Sequence, residues 1–121
     1  MNTSYYIIHI KIPNSKKSKE LIIEEIKENI LVSELMNMLC FNSKYMSELD
    51  ANFISVYNKK IDEFEYFIQR LLGYEMNDKY SWVPYINDVK EKWTEICQNN
   101  RLIFKSDKIE FRYEEKILNQ E

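Results

Sequence analysis

Hydrophobic positions recur along this chain with spacings that predict strands near its two ends and helices between them. Residues 4–12 are rich in Ile and Tyr, with Tyr6 and Ile8 on one side of an extended chain and Tyr5 and Ile7 on the other. Because both sides are apolar near the start of this segment, it is predicted to be a strand that lies centrally in a sheet.

Two helices are predicted after this strand. Residues 18–40 place apolar residues three and four apart behind Ser18, which can cap a helix. The chain's one glycine, Gly73, predicts a left-handed residue that ends a second helix over residues 48–72. That helix has the strongest periodicity in the chain, through Phe53, Tyr57, Ile61, Phe64, Ile68 and Leu71.

The remainder of the chain is predicted to form a loop, a helix and a hairpin. Residues 74–83 form the loop, and Pro84 suits the first turn of a helix over residues 84–99. Residues 101–114 contain two apolar runs around a short polar Ser-Asp-Lys segment, which predicts a tight hairpin. Residues 116–121 are expected to fray.

These elements predict one domain, residues 1–121, of the α+β class with the order β-α-α-α-β-β. An isolated hairpin is only marginally stable in water. The N-terminal strand is therefore expected to join the C-terminal hairpin in a small three-stranded sheet, and the three helices are expected to pack on that sheet.

Length and charge set bounds on the function. The chain has 121 residues, and its 17 basic and 20 acidic residues give a net charge of −3. These charges are mixed along the sequence, so the basic surface typical of nucleic-acid binding is missing and no nucleic acid is expected as a partner. No apolar run is long enough to cross a membrane and no secretory signal is visible, so a cytoplasmic location without membrane contact is expected.

The residue types that carry much catalytic chemistry are scarce. Cys40 and Cys97 lie in apolar patterns and are predicted to be buried free thiols, with a disulfide between them as the alternative. His9 is the only histidine and is flanked by isoleucines, which favours a structural role over that of a general base. One histidine does not complete a zinc site, and one glycine does not build a phosphate-binding loop. No catalytic residue, metal or cofactor is therefore predicted.

Carboxylates leave one enzymatic alternative. Glu110 and Glu114 begin the segments Glu-Phe-Arg and Glu-Glu-Lys, which weakly resemble the acid-x-Lys end of metal-dependent nucleases. The first segment has Arg in place of Lys, and no upstream Pro-Asp accompanies either of them. A small metal-dependent nuclease is therefore the second hypothesis.

The predicted aromatic loop carries the signal for binding. Loops are usually small and polar, so aromatic side chains in a loop either fold back on the core or are offered to a partner. Tyr and Trp supply much of the binding energy at protein interfaces. Core packing is the alternative for the aromatic residues here, most strongly for Trp82. The candidate partner-binding residues are Tyr74, Glu75, Asp78, Tyr80, Trp82 and Tyr85.

These observations favour a non-enzymatic protein-binding module. Its concrete form would be a small acidic inhibitor of a basic protein, such as an immunity protein that neutralises a cognate bacterial toxin. A phage inhibitor of a host defence system and a homodimeric assembly protein would show the same features. The sequence therefore leaves both a monomer and a homodimer open.

Overall fold

Strand is the main secondary structure of this protein, at 50% strand against 18% helix. The computed structural model describes residues 5–25, 27–98 and 101–116. The helices are α1 (Val32–Cys40), α2 (Ser43–Glu48) and α3 (Trp93–Gln98). The strands are β1 (Tyr5–Lys11), β2 (Ser18–Glu24), β3 (Asn29–Leu31), β4 (Asn52–Asn58), β5 (Glu63–Leu71), β6 (Tyr74–Glu75), β7 (Tyr80–Ile86), β8 (Val89–Lys90), β9 (Leu102–Phe104) and β10 (Ile109–Glu115).

The predicted fold, a three-stranded sheet packed by three helices in the order β-α-α-α-β-β, is therefore wrong. The described residues form three sheets, of five, two and three strands, together with three short helices. The five-stranded sheet has the order β2-β1-β10-β7-β8. Strands β1 and β10 are parallel, and every other neighbouring pair in this sheet is antiparallel.

The predicted helix over residues 18–40 is a strand, a short strand and then a helix. In β2, Leu21 and Ile23 are buried whereas Ile22 is 50% exposed, which is the alternation of a strand with one covered side. The helical spacing seen in the sequence came from combining this alternation with the apolar residues of α1. Only Val32–Cys40 is helical, and it buries Leu35, Met36 and Leu39.

The predicted helix over residues 48–72 is the antiparallel pair β4–β5. Its residues favour strands by composition, since Ile, Val, Tyr and Phe dominate both segments. Gly73 does adopt the predicted left-handed conformation, with φ 81°, but it ends a strand. Together with Leu72 at φ 55°, it forms the two-residue turn between β5 and β6, both residues having the positive φ of a type I′ turn.

The predicted loop over 74–83 is wrong, and of the described residues in the helix predicted over 84–99 only Trp93–Gln98 are helical. The first contains β6 and the start of β7, and β7 continues through Pro84 to Ile86. The Pro84 carbonyl accepts a hydrogen bond from the Glu91 N–H at 2.9 Å, so the nitrogen of Pro84 faces away from β10. A proline is tolerated there because the N–H that proline lacks would not have been used in a hydrogen bond to β10.

The C-terminal prediction placed two strands correctly but paired them wrongly. Strand β9 pairs with β3 and β10 pairs with β1 and β7, so residues 101–114 do not form a hairpin. Strand β1, predicted over residues 4–12, does lie between two other strands. The tail over residues 116–121 was predicted to fray. Its first residue, Lys116, donates its backbone N–H to the Lys79 carbonyl at 2.6 Å, and residues 117–121 lie outside the described residues.

The core lies on one side of the five-stranded sheet. Tyr6, Ile8 and Ile10 of β1 are fully buried, and Phe111 of the neighbouring β10 is 2% exposed. This side faces the helices and the β4-β5-β6 sheet. Helix α3 packs on β5 of that sheet, and α1 packs on β4. The other side of the large sheet is open to solvent at Tyr5, Ile7 and Ile22. The fold therefore leaves one broad sheet face and the ends of the sheets available for binding.

Candidate functional site

The segment predicted to bind a partner is formed by β6, the turn over residues 76–79 and β7. Strand β6 pairs with β5 and β7 pairs with β10 and β8, so this segment connects two sheets, and we call it the β6–β7 hairpin only for its sharp turn. Asn77 holds this turn, because its side-chain oxygen accepts the N–H groups of Lys79 at 2.8 Å and Tyr80 at 2.9 Å. The Asn77 N–H donates to the Tyr80 carbonyl at 2.9 Å. The turn is therefore fixed by several local hydrogen bonds.

Tyr113 of β10 organises the aromatic side chains of the hairpin. Its ring lies 5.2 Å from that of Tyr80, nearly parallel to it, and 5.5 Å from that of Tyr74. The Tyr113 hydroxyl donates to the Glu75 carbonyl at 2.6 Å. Tyr74 and Tyr80 remain 37% and 38% exposed. Two half-exposed tyrosines thus share one supporting ring, and we call Tyr74, Tyr80 and Tyr113 the tyrosine cluster.

Trp82 belongs to the core beneath this cluster. Its side chain is 2% exposed and its ring lies 5.1 Å from that of Tyr113. Its indole N–H donates to the Tyr74 carbonyl at 2.8 Å, which joins β7 to β6. Trp82 therefore packs in the core, which was the alternative to partner binding for this residue. The residue supports the hairpin from within.

Acidic side chains lie beside the tyrosine cluster. The Glu75 carboxylate lies 3.9 Å from the guanidinium group of Arg70, a residue of β5. Asp78 is exposed at the tip of the hairpin, and no ion pair to it is found among residues 5–25, 27–98 and 101–116. Burial of a partner's cation against Asp78 would therefore not require an existing ion pair to break.

Tyr85 is separated from the other five predicted residues. Side chains alternate along β7, so Tyr85 lies on the open side of the large sheet, opposite to Trp82. Its hydroxyl donates to Glu114 Oε2 at 2.5 Å, and the Arg112 guanidinium lies over its ring at 3.8 Å. The structure thus joins Tyr74, Glu75, Asp78 and Tyr80 at one hairpin, and places Tyr85 on another surface.

The open side of the sheet carries a charged network around Glu110 of β10. This side chain is 2% exposed and contacts Arg112 at 2.5 Å, Lys11 at 3.6 Å and Lys108 at 3.9 Å. Burial on its own would raise the pKa of Glu110, but the Arg112 hydrogen bond and the charges of Arg112, Lys108 and Lys11 outweigh it and lower the pKa. The alternation of residues along β10 places Glu110 on the polar side of that strand. Its contact with Lys11 exists only because β10 pairs with β1, which no local pattern indicates.

His9 and the two thiols, which were considered for nucleophilic catalysis, lie on different sides of the large sheet, because the thiols belong to the buried core. His9 faces Glu20 at 3.9 Å on the open side of the sheet. Cys40 and Cys97 are free and buried, and burial raises the pKa of each thiol to about 11. Within residues 5–25, 27–98 and 101–116, no group of three or more His, Cys, Asp or Glu side chains could hold a metal ion.

Sequence reasoning missed a cleft that lies beside the hairpin. The cleft has a volume of about 480 Å³ and follows the edge of β7 between β5 and the start of α3. Trp82 and Trp93, the chain's two tryptophans, both line it. The Trp93 indole N–H donates to the Trp82 carbonyl at 2.9 Å. No local pattern could have indicated this cleft, because its lining comes from five separate segments.

Comparison with known proteins gives no assignment: no protein-family model matches the chain, and no curated protein is significantly similar to it. In the part of the chain that the structure describes, no helix has the length and apolar character needed to span a membrane. The function must therefore be argued from the surfaces described above.

Proposed function

We propose that this protein is a non-enzymatic, cytoplasmic protein-binding module that uses the β6–β7 hairpin to cover a basic partner protein. An immunity protein that neutralises a cognate bacterial toxin is the form of this function that we favour. The observation that carries the proposal is the tyrosine cluster, in which Tyr74 and Tyr80 are each more than one-third exposed while their rings contact Tyr113, with Tyr80 stacked on it and Tyr74 tilted against it.

Rigidity of this cluster supports binding. Tyr113 is held by its hydrogen bond to the Glu75 carbonyl, and the turn is held by Asn77. A side chain that is already ordered loses little conformational entropy when a partner covers it, so more of the contact energy contributes to affinity. Tyrosines in this state are the residue type that alanine scanning most often identifies at the centre of interfaces.

The exposed Asp78 supports a basic partner. Glu75 lies 3.9 Å from Arg70, and Lys79 and Lys116 lie at the same end of the sheet, so the charge argument rests on Asp78, which has no ion pair among the described residues. Complementary charge would accelerate encounter with a basic protein and would make the association rate fall as salt is added.

Titration of the purified protein with the product of the adjoining gene, followed by calorimetry, tests the proposal. Tyr80→Ala should weaken binding about tenfold or more, because it removes a ring at the centre of the surface. Asp78→Ala should weaken binding less, and its effect should decline with salt. Both variants should melt at nearly the wild-type temperature, since both side chains are exposed.

Tyr57→Ala is the matched control, because Tyr57 is 47% exposed on β4, outside the hairpin. Equal affinities for wild type, Tyr80→Ala and Tyr57→Ala would contradict the assignment of the surface. Failure of the adjoining gene product to bind would contradict the immunity-protein form. Analytical ultracentrifugation distinguishes this proposal from a homodimeric assembly protein, which would sediment as a dimer without any partner.

A further inference from the structure

The cleft along the edge of β7 has the size and lining of a ligand-binding site. At about 480 Å³ it falls within the range of about 300–1,000 Å³ that small-molecule sites occupy. Its apolar lining comes from four different elements or connections, so it is a feature of the tertiary fold. These apolar residues are Phe67, Ile68, Met76, Trp82, Val83, Pro84 and Trp93.

The backbone of β7 adds a donor to this apolar lining. The Trp82 carbonyl accepts the Trp93 indole N–H, and the carbonyl of Pro84 accepts the Glu91 N–H. Both carbonyls therefore point away from β10. Since the N–H and C=O of one strand residue point to the same side, the Trp82 N–H is directed toward the cleft as well. An acceptor atom of a bound molecule could meet it there.

Charge around the cleft favours an anion. Three lysines and two glutamates line it, but Glu91 is bound by Arg101 at 2.7 Å, and Lys90 lies 3.5 Å from Glu114. Lys92 and Lys116 have no carboxylate within ion-pair distance in the described ranges, and Glu115 is the one acid that offsets them. One positive charge is therefore left over at the cleft.

We infer that this cleft binds a small carboxylic acid with an aryl or alkyl body. The apolar body would lie against Trp93 and Phe67, beside the nearly buried Trp82, and the carboxylate would face Lys92 and Lys116. This site is distinct from the tyrosine cluster, and its assignment does not depend on the proposed function. The charge at the cleft favours the acid over a neutral molecule of the same shape.

The two tryptophans allow a direct test, because the chain has no others and both line the cleft. The protein is titrated with 3-phenylpropionate and, as the matched neutral probe, with 3-phenylpropionamide. Tryptophan fluorescence gives the affinity, and the two indole N–H signals in the nitrogen-correlated NMR spectrum report the location. We expect saturable changes in both readouts, with the amide bound several-fold more weakly than the acid.

Two charge variants and a control complete the experiment. Lys92→Gln and Lys116→Gln should each weaken binding of the acid about threefold, the effect of one exposed ion pair. Lys60→Gln removes the same charge from the β4–β5 turn, outside the cleft, and should leave the affinity unchanged. The inference is overturned if neither indole signal moves, if the amide binds as tightly as the acid, or if Lys60→Gln weakens binding as much as the other two variants.

Discussion

Arg112 donates a hydrogen bond to Glu110 at 2.5 Å from two residues further along the same strand, and the Glu110 side chain is 2% exposed although it lies on the open side of the sheet. The long side chains of Arg112, Lys11 and Lys108 cover the carboxylate. Ionised Glu110 thus offsets three cations that lie close together on neighbouring strands.

Replacement of Glu110 by Gln is expected to destabilise the fold by about 1–3 kcal/mol, because the buried side chain loses its charge-assisted hydrogen bond from Arg112 and its attraction to Lys11 and Lys108. Urea denaturation of the variant and the wild type measures this difference. Glu114→Gln is the control on the same strand, since Glu114 is 27% exposed and should matter less. An equal loss in the two variants would contradict a special contribution of Glu110.

The same carboxylate should make stability depend on pH in the acidic range. Because the folded-state pKa of Glu110 is lowered below its ordinary value of 4.5, its contribution is complete above that value and is lost as the pH falls through the folded-state pKa. The difference in unfolding free energy between wild type and Glu110→Gln should therefore shrink from pH 7 toward pH 3. A difference that stays constant over this range would contradict the ionic origin of the effect.

Gly73→Ala is expected to lower stability by about 1–2 kcal/mol, because alanine is disfavoured at φ 81°. Its Cβ would also lie 3.2 Å from Asp50 Oδ2, in a loop that pairs with Arg70. Gly73→Asn should cost less, since asparagine adopts the left-handed conformation more readily. Thermal unfolding of the two variants checks this order, and the reverse order would contradict the turn geometry.

The two thiols should be unreactive in the folded protein. With the pKa of each raised to about 11, only about a thousandth of either thiol is ionised at pH 8, and the thiolate is the reactive form. Ellman's reagent should therefore label the native protein slowly and the urea-unfolded protein rapidly. Rapid labelling of two thiols in the native state would show that Cys40 and Cys97 are accessible.

The local conformation of several positions could be read from the sequence, whereas the pairing of strands could not. Gly73 was correctly assigned a left-handed conformation, because that depends on one residue and its missing Cβ. The second apolar run of residues 101–114, in which Ile109, Phe111 and Tyr113 alternate with polar residues, was likewise predicted to be a strand from local pattern alone, and it is one. The partners of that strand depend on residues about 25 and 100 positions earlier in the chain, which no local pattern specifies.

The helical predictions failed because apolar residues were too frequent to select one period. In residues 48–72, Phe53 and Ile68 fit a helical spacing, but they also face each other across β4 and β5. Strand propensity should have carried more weight there, since Ile54, Val56 and Tyr57 favour extended chain. Tertiary pairing then decided the outcome.

The structure brings four of the six candidate partner-binding residues together, and their role in binding stays a prediction. Tyr74, Glu75, Asp78 and Tyr80 were correctly expected near one another, because they are close in sequence and flank a turn. The support they receive from Tyr113 was not foreseen, since it comes from β10, about 30 residues later. Tyr85 was grouped with them on the assumption of a loop, and the alternation of β7 sends it to the other side of the sheet.

The parallel pairing of β1 with β10 has a consequence during synthesis. The centre of the large sheet is built from the first and the last described strands, so the N-terminal hairpin of β1 and β2 has no neighbour until residue 115 has left the ribosome. A nascent chain that lacks β10 would expose Ile8 and Ile10 to solvent. Assembly of the large sheet should therefore wait until β10 has been made, and chains that stop before β10 should be degraded.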